Sequence, residues 1–515
     1  MTEAISRPQS PGIFSAGWVL PAVMLGTFLS VLDSTILNVA LPYVMAGFSS
    51  DVEHAKWIAS GFFLGATVSM PLSGWLGNRF GSGPVYIIAL SVFTLGAAFC
   101  SVAWSLNTLI ALRVIQGVAA GFIQPTSIEI LTRAYPPHMR GRVFGIWTIG
   151  LMTAPSLGPA AGGVIIEMVH WRAIFVLSAG VGVVAWLLAV AALDRDRGES
   201  VRPFDWPGYL ALAVLLVSAF LTVTYGDQEG WSSAIIVAGM FTTAAALGLL
   251  IILEWDQPNA ILPLRLFRYS DFSLAAFITV YRSIGLFSPI FLMPLFLFEV
   301  QGRESMDIGF MLMPGSVVMA SASPLAGYLT DRIGGRWPTI FGFCMISIAL
   351  FMYHDIDASM STWRIVFPLL LQGIGIAFVM TPAMTTGMNA VSRHDAGHAS
   401  WILNICQRGG GAFAITILGM LLSRRTMIQD SYFGTAAMMQ QPATDVLKAA
   451  ASRLGLTSTA ADSAALAGAL HHVRDAASSV AFGNIFLLAS VVTATALIPS
   501  LFMSGHRPHE EQQSS

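Results

Sequence analysis

Long apolar segments recur along the whole chain, each bounded by Gly, Pro or charged residues. An apolar run of about 20 residues spans the hydrocarbon core of a bilayer as an α-helix. The pattern therefore predicts an all-α polytopic membrane protein with fourteen spans. These spans lie at about residues 14–42, 57–77, 84–103, 107–131, 143–166, 171–193, 206–225, 232–254, 272–298, 306–329, 338–353, 363–389, 398–422 and 483–504.

The composition narrows the class of protein further. Only 10% of the 515 residues are charged, against roughly 25% in soluble globular chains, which excludes an ordinary soluble enzyme. Neither Lys56 nor Lys448 follows the glycine spacing of a phosphate-binding loop, which excludes ATP hydrolysis of that kind. The net charge of −2 comes without a basic patch, so no nucleic acid is expected as a partner. The three cysteines lie in separate apolar runs, and no metal site or cofactor is predicted.

The basic residues set the orientation. If the N-terminus lies inside the cell, the inner segments hold fourteen arginines and the short outer loops hold four basic residues. Because basic residues concentrate on the cytoplasmic side of membrane proteins, this asymmetry predicts that both termini are cytoplasmic.

The segment 423–482, before the last span, differs from the other connections. It is long, polar and rich in alanine, and it is broken by Gly and Pro residues. Two interpretations stay open, because long loops are often simply flexible but can also carry function. The segment is either a solvated linker with some helix or a docking surface on the outer side.

An internal repeat divides the chain into two halves. The stretch GWLGNRFG from Gly74 returns as GYLTDRIG from Gly327 at an offset of 253, and Gln116 with its following glycine returns at Gln372 at an offset of 256. Related halves in one membrane chain point to a transporter with its substrate site between them. The predicted organisation is a tail at 1–13, a six-helix bundle at 14–193, a linker with two inserted spans at 194–271, a second six-helix bundle at 272–504 and a tail at 505–515.

Several short motifs occur in order along the spans. They are LDSTILNVALP from Leu32, GWLGNRFG from Gly74, RVIQG from Arg113, APSLGPAAGG from Ala154, WRAIF from Trp171 and PLRLF from Pro263. Together they resemble the fourteen-span drug:proton antiporters of the major facilitator superfamily, of the EmrB/QacA type, over nearly the whole chain. The resemblance implies a multi-pass protein of the bacterial inner membrane that exports small hydrophobic substrates in exchange for protons.

The resemblance also bears on partners. Emr-type members export drugs together with a periplasmic adaptor and an outer-membrane channel, and their long loop has the same place as the segment 423–482. The resemblance therefore implies that this segment binds such an adaptor. The other expected partners are membrane lipid, the substrates and protons.

Asp33 is the most informative residue of the first span. A carboxylate inside the membrane is costly unless it is protonated or paired, so it is a functional hypothesis by default. Arg113 in the fourth span lies at a comparable depth, and the two are predicted to face each other across the first bundle. The resemblance places both in proton coupling. The alternatives are an Asp33 that only bonds its neighbours Ser34 and Thr35, and a purely structural salt bridge.

Further polar residues inside the spans complete the predicted substrate pathway. Arg282 and Arg408 are buried charges of the second half, with few deep acids to pair with. The sequence leaves open whether they line a substrate pocket or make structural pairs. With Asp33, the predicted pathway consists of Thr35, Asn38, Gln116, Gln124, Arg282 and Arg408.

The resemblance also implies gating residues. The two copies of the repeated turn are expected to latch the inner face in one conformation, although the first copy carries Asn78 where the family has an acid. In the fifth span, glycines and prolines predict close packing and bending, and the family associates this motif with export. The predicted gating residues are Gly74, Asn78, Arg79, Gly81, Asp331, Arg332, Arg336, Pro155, Gly158, Pro159, Gly162 and Gly163.

Other functions remain possible on the same fold. The chain could be a dedicated exporter of a single metabolite or antibiotic, a proton-coupled importer, or a receptor or scaffold that keeps the carrier fold without transport. None of these alternatives is an enzyme, since no chemistry is performed on the substrate.

Overall fold

The structure is a computed structural model that describes residues 16–50, 52–193, 203–255, 257, 259–303, 305–439 and 478–504. Within these ranges the chain forms helices joined by short connections, and no β-strand occurs. The α-helices are α1 Val19–Phe48, α2 Val52–Ser69, α3 Leu72–Phe80, α4 Ser82–Ser101, α5 Leu106–Ala134, α6 Arg140–Met168, α7 Ala173–Ala192, α8 Trp206–Glu229, α9 Ala234–Glu254, α10 Ser270–Glu299, α11 Ser305–Ile333, α12 Arg336–Phe351, α13 Thr362–Asn389, α14 Ala396–Met439 and α15 Ser478–Ser500.

All fourteen predicted spans coincide with helical chain in the described ranges. By length and composition, eleven of the described helices can cross a membrane, and the apolar helix α12 is shorter. The segment predicted as one second span is divided between α2 and α3. The helix is interrupted at Met70 and Pro71 because a proline has no backbone N–H to donate to the preceding turn.

The helices form two bundles. In the first half, α1 packs on α6 and α7, while α5 packs on α2 and α4. In the second half, α13 packs on α10, α11 and α12, and α10 also packs on α14. The halves meet where α6 packs on α11 and where α14 packs on α3 and α5. The inserted helices α8 and α9 pack on each other, and α8 leans on α2.

Because the helices alternate in direction, connections of the same kind collect at the two ends of the bundle. We call the end that carries Arg79, Arg140, Arg332 and Arg393 the basic end. The starts of α6 and α14 and the ends of α3, α11 and α13 lie there. We call the other end of the bundle the opposite end.

Glycines allow the closest helix contacts of the first half. A Cβ at Gly117 of α5 would overlap with the backbone carbonyl of Phe62 on α2, and one at Gly121 would overlap with the carbonyl of Ala66. Such contacts let two helix backbones approach closely inside a membrane, where van der Waals packing drives association.

We expect Gly117→Leu to lower the thermal stability of the purified protein by several degrees, because overpacking of a tight contact typically costs about 1–3 kcal/mol. Gly180→Leu in α7 is the matched control, since a Cβ there meets no atom within 4 Å. Thermal unfolding followed by size-exclusion chromatography measures both variants. Equal melting temperatures for Gly117→Leu and Gly180→Leu would contradict this packing.

Candidate functional site

A buried ion pair joins α1 to α5. Arg113 Nη1 contacts Asp33 Oδ2 as a salt bridge, and both side chains are almost completely buried. Their positions on facing helices bring the two charges to the same depth, as the sequence predicts. A buried pair of this kind satisfies both charges only while both partners remain in place.

The surroundings of the pair hold the arginine more firmly than the acid. Arg113 Nη1 also donates to Gln116 Oε1 at 2.7 Å, and the guanidinium lies 4.2 Å from the centre of the Phe62 ring. Within the described residues, Asp33 Oδ1 and Gln116 Nε2 have no hydrogen-bond partner. The carboxyl therefore keeps one free oxygen, which is where a proton or a ligand hydrogen-bond donor can bind.

Two further arginines lie near the middle of the second half. Arg408 Nη2 is 3.5 Å from Gln124 Oε1, so this contact crosses from α14 to α5 and joins the halves. Arg282 is 1% exposed, and its Nε and Nη1 have no partner in the part of the chain that the structure describes. An unpaired buried arginine is costly inside a membrane. Arg282 is thus a charge that the described protein groups do not balance.

Two other predicted pathway residues lie in α1. The Thr35 hydroxyl donates to the carbonyl of Leu32 at 3.0 Å within its own helix, and its Oγ1 packs against Gly158. It therefore helps α1 and α6 to pack. Asn38 lies within α1, but its side chain falls outside the described part of the structure.

The glycines of α6 contact two different helices. Gly150 packs on Met24 and Gly158 on Thr35, both in α1, while Gly141 and Gly145 pack on α11. Gly162 is buried, whereas a Cβ at Gly163 would meet no atom within 4 Å. Pro155 is exposed, and the side chain of Pro159 lies outside the described residues. α6 therefore packs on α1 of its own half and on α11 of the second half.

At the basic end, Asp331 closes the contact between the halves. Its carboxylate accepts from the backbone N–H groups of Gly141 at 2.8 Å and Arg142 at 2.9 Å, at the start of α6. The first N–H groups of a helix have no intrahelical acceptor, and the helix dipole favours an anion there. The second copy of the repeated turn thus caps a helix of the first half.

The first copy also contacts the second half, although it lacks the acid. Asn78 Nδ2 donates to the carbonyl of His394 at 3.1 Å, and Asn78 Oδ1 accepts from Arg133 at 3.0 Å. Gly74 packs directly on Gly397 and His398 at the start of α14. The amide of Asn78 therefore makes a contact between the halves at the position where the family has an acid.

Glu129 is a functional candidate that the predicted site leaves out. It is fully buried in α5 and pairs with Arg133 at 2.7 Å, one turn later on the same helix. A Cβ at Gly77 or at Gly397 would lie within 3 Å of its carboxylate oxygens. The Glu129 carboxylate thus occupies the seam between α3 and the start of α14. In the sequence, an acid near the inner end of the fourth span is the feature that could have indicated Glu129 as a functional residue.

Arg140 is a second residue that the predicted site leaves out. Its Nη1 donates to Asn389 Oδ1 at 2.9 Å, at the end of α13, and its Nη2 donates to the carbonyl of Thr132 at 2.7 Å. A cation at a helix C-terminus is favoured by the helix dipole. From the sequence, Arg140 is predicted only to contribute to the orientation of the chain in the membrane.

The remaining predicted gating residues make contacts within their own halves. The Arg79 guanidinium lies 5.0 Å from the Trp75 ring centre, and Gly81 has a φ of 89° that favours glycine. Arg332 lies over the Tyr328 ring at 4.4 Å, and Arg336 donates to the carbonyl of Met503 at 2.9 Å. At the basic end, Asp331, Asn78 and Arg140 make side-chain hydrogen bonds between the halves, and we call these three residues the latch.

Comparisons with known proteins agree with this geometry. The sequence profile of the Major Facilitator Superfamily matches residues 23–415. The chain belongs to this superfamily. It is a multi-pass membrane transporter of the EmrB/QacA type, and it is not an enzyme.

Among its relatives are two bacterial proteins named for multidrug resistance and multidrug export. The chain is 31% identical over 405 residues to the multidrug resistance protein Stp of Mycobacterium tuberculosis, covering 78% of this chain and 75% of that protein. It is 27% identical over 439 residues to the multidrug export protein EmrB of Escherichia coli, covering 85% and 86%. The solved structure of the proton:xylose symporter XylE shares the fold with a TM-score of 0.58 at 13% identity, covering 96% of this chain and 97% of that one.

We expect Asp331→Ala to open the basic end, because it removes the anion that caps α6. Hydrogen bonds to a charged group contribute about 1.5–3 kcal/mol each, so the open population should rise on the order of tenfold or more. Pulsed electron paramagnetic resonance between labels at Phe80→Cys and Ile333→Cys, without the native cysteines, measures the distance. Both positions are exposed at the basic end, one in each half.

Asp357→Ala removes the same charge from an exposed turn at the opposite end, where the carboxylate accepts from the backbone N–H and the hydroxyl of Ser359. This control variant should keep the distance distribution of the parent protein. An unchanged distribution in Asp331→Ala as well would show that Asp331 does not hold the basic end closed.

Proposed function

We propose that this chain exports hydrophobic compounds, including drugs, in exchange for protons by alternating access. The observation that carries the proposal is the buried pair of Asp33 and Arg113, whose carboxyl keeps one oxygen without a partner. The similarity to Stp and EmrB supports export of drugs. The mechanism requires no cofactor, because the proton gradient supplies the energy.

Proton coupling follows from the chemistry of the pair. When a proton binds to Asp33, the carboxyl becomes neutral and the attraction to Arg113 weakens. Arg113 then keeps its hydrogen bond to Gln116 and its contact with Phe62, so it has other partners in the protonated state. Loss of the proton restores the ion pair. The two protonation states thus favour two different packings of α1 against α5.

The gradient is sufficient to drive such a cycle. A membrane potential of 100 mV is worth about 2.3 kcal/mol for each elementary charge moved. Each additional proton per cycle therefore supports about 50-fold more accumulation of the substrate from the voltage alone.

We further propose that the basic end faces the cytoplasm of a bacterial cell and that both termini are cytoplasmic. The excess of arginine at this end supports the orientation. In that orientation the latch closes the cytoplasmic side in this structure. Protons would reach Asp33 from outside, and substrates would be released to the outside.

A dedicated exporter of one metabolite or antibiotic is the second candidate function. Arg282 favours it, because a fixed buried charge selects among substrates more strongly than an apolar surface does. A panel of structurally unrelated compounds in a resistance assay separates the two. Protection against a single compound would favour the dedicated exporter.

We expect Asp33→Asn to abolish proton-driven transport. Everted membrane vesicles are placed in a solution of a fluorescent drug, and a proton gradient is imposed. Vesicles with the parent protein should take up the drug. Asp33→Asn should lose at least about tenfold of this rate, because its amide cannot bind and release a proton. Exchange of drug at equal concentrations on both sides should remain. Asp355→Asn at an exposed position of the opposite end is the control and should keep full activity.

Two outcomes would contradict this assignment. Proton-driven uptake in Asp33→Asn at the parent rate would exclude Asp33 from coupling. Proton-driven efflux of drug from everted vesicles that contain the parent protein would show an importer.

The segment 423–482 is proposed to bind a periplasmic adaptor that leads to an outer-membrane channel. Residues 440–477 lie outside the described residues, so this proposal depends on the sequence. We expect deletion of residues 435–475 to abolish cross-linking to the adaptor while membrane insertion is preserved, because the proposed contact surface is removed. Cross-linking followed by mass spectrometry measures the first, and protease protection measures the second. Unchanged cross-linking would exclude the segment from the interface.

A further inference from the structure

A polar cavity lies at the basic end, away from the pair of Asp33 and Arg113. Its volume is about 430 Å³, within the range of sites that hold small molecules. Its walls come from α3 of the first half and from the start of α14 in the second half. The start of α8, the end of α9 and the linker after α9 complete the walls. The wall residues that carry the argument are Trp75, Asn78, Asp205, Glu254, Trp255 and His398. We call this space the seam cavity.

Two buried carboxyl groups form one wall of the seam cavity. Asp205 is 8% exposed and Glu254 is 2% exposed. They lie beside each other, since a Cβ at Gly208 would collide with the carboxyl oxygens of both. Asp205 lies at the start of α8, and Glu254 lies at the end of α9. Because α8 and α9 pack as an antiparallel hairpin, these two positions are neighbours.

Each carboxyl has one oxygen engaged and one free. Asp205 Oδ1 accepts from the backbone N–H of Gly208 at 3.0 Å, and Glu254 Oε1 accepts from that of Leu262 at 3.3 Å. Asp205 Oδ2 and Glu254 Oε2 have no hydrogen-bond partner among the described residues. Two adjacent buried carboxyls are stabilised by a cation or a shared proton. The wall therefore attracts positive charge.

Four basic residues also line the cavity: Arg265, Arg268, His394 and His398. Arg265 pairs with Asp395 at 2.7 Å, and the Nδ1 atom of His398 lies 3.2 Å from the carbonyl of Ile261. These contacts hold the linker to the second half. Arg265 and His398 are therefore held away from the free oxygens of Asp205 and Glu254.

Aromatic rings form another part of the wall. Trp75 and Phe204 pack edge to face with their ring centres 4.9 Å apart, and Trp255 lines the same space. The faces of aromatic rings attract organic cations, which is how proteins recognise quaternary ammonium groups. Acidic and aromatic walls together fit a cation with an apolar body.

We propose that the seam cavity binds a small organic cation with an aromatic or apolar body, and that this ligand stabilises the closed basic end. The cationic group lies against Asp205 and Glu254, and the apolar body packs on Trp75 and Trp255. Because Asn78 of the first half and His398 of the second half both line the cavity, its shape depends on the halves being joined. A ligand held there favours the conformation that forms the cavity. This is a regulatory site separate from the transport pathway.

Binding to the full-length protein in detergent tests the proposal. The probe is benzyltrimethylammonium, and its neutral isostere neopentylbenzene controls for apolar contact. We expect the cation to bind measurably by saturation-transfer NMR and the isostere to bind at least about tenfold more weakly. Glu254→Gln and Asp205→Asn should each weaken the cation on the order of tenfold, and Glu299→Gln, an exposed acid at the opposite end, should leave binding unchanged.

The variants also separate this cavity from the transport pathway. Asp33→Asn should keep binding of the probe, whereas loss of binding in Asp33→Asn with retention in Glu254→Gln would place the cation in the pathway and overturn the proposal. Equal binding of cation and isostere would also overturn it. If Glu254→Gln fails to fold, Asp205→Asn gives the same test, since the side-chain amide oxygen of Asn still accepts from the backbone N–H of Gly208.

The conformational part has its own measurement. In the distance experiment between labels at residues 80 and 333, saturating benzyltrimethylammonium should increase the short-distance population of the parent protein and not that of Glu254→Gln. A probe that binds without changing the distances would show a cation site with no effect on the latch, which would contradict the regulatory role.

Discussion

The cost of a charge inside a membrane is the constraint on which the rest of the structure depends. Asp33 and Arg113 are almost completely buried, and each is stable there because the other is present. To bring them together, α1 and α5 must pack at a fixed depth and rotation. The glycine contacts of α5 with α2 fix the second side of the same helix. The ion pair thus sets the arrangement of the first bundle, while one free carboxyl oxygen leaves it able to respond to a proton.

The latch uses a different kind of interaction, between side chains and helix ends. Asp331 caps the start of α6, and Arg140 donates to the carbonyl of Met388 at 3.5 Å and to the side chain of Asn389 at the end of α13. Both helix ends carry backbone groups without intrahelical partners, so each needs a group from outside. Here that group comes from the other half. Opening the basic end exposes these backbone groups to water, which can replace the lost bonds. Such contacts favour one conformation and can still be broken, as the proposed alternating access requires.

The sequence predicts those features that depend on one helix or one pair of helices. The helical segments at the fourteen predicted positions follow from apolar length, and the pairing of Asp33 with Arg113 follows from their equal depth. The break at Pro71 was missed, because a proline inside an apolar run can bend a helix or interrupt it. Glu129 and Arg140 were missed for another reason. Their partners at Gly397 and Asn389 lie in the other half, more than 240 residues away, and no periodicity within one helix reports such contacts.

The inserted helices connect to the two halves in different ways, and this determines how they can move. α8 is attached to α2 by the hydrogen bond from Tyr209 to the carbonyl of Val68 and by Lys56 over the Tyr225 ring. The linker after α9 is attached to the second half by the pair of Arg265 and Asp395. When the halves move apart, the inserted helices follow one half and the linker follows the other. The change must be absorbed between Glu254 and Arg265, which is the part of the chain that lines the seam cavity. The insertion with its linker therefore joins the two halves, and the seam cavity lies at this junction.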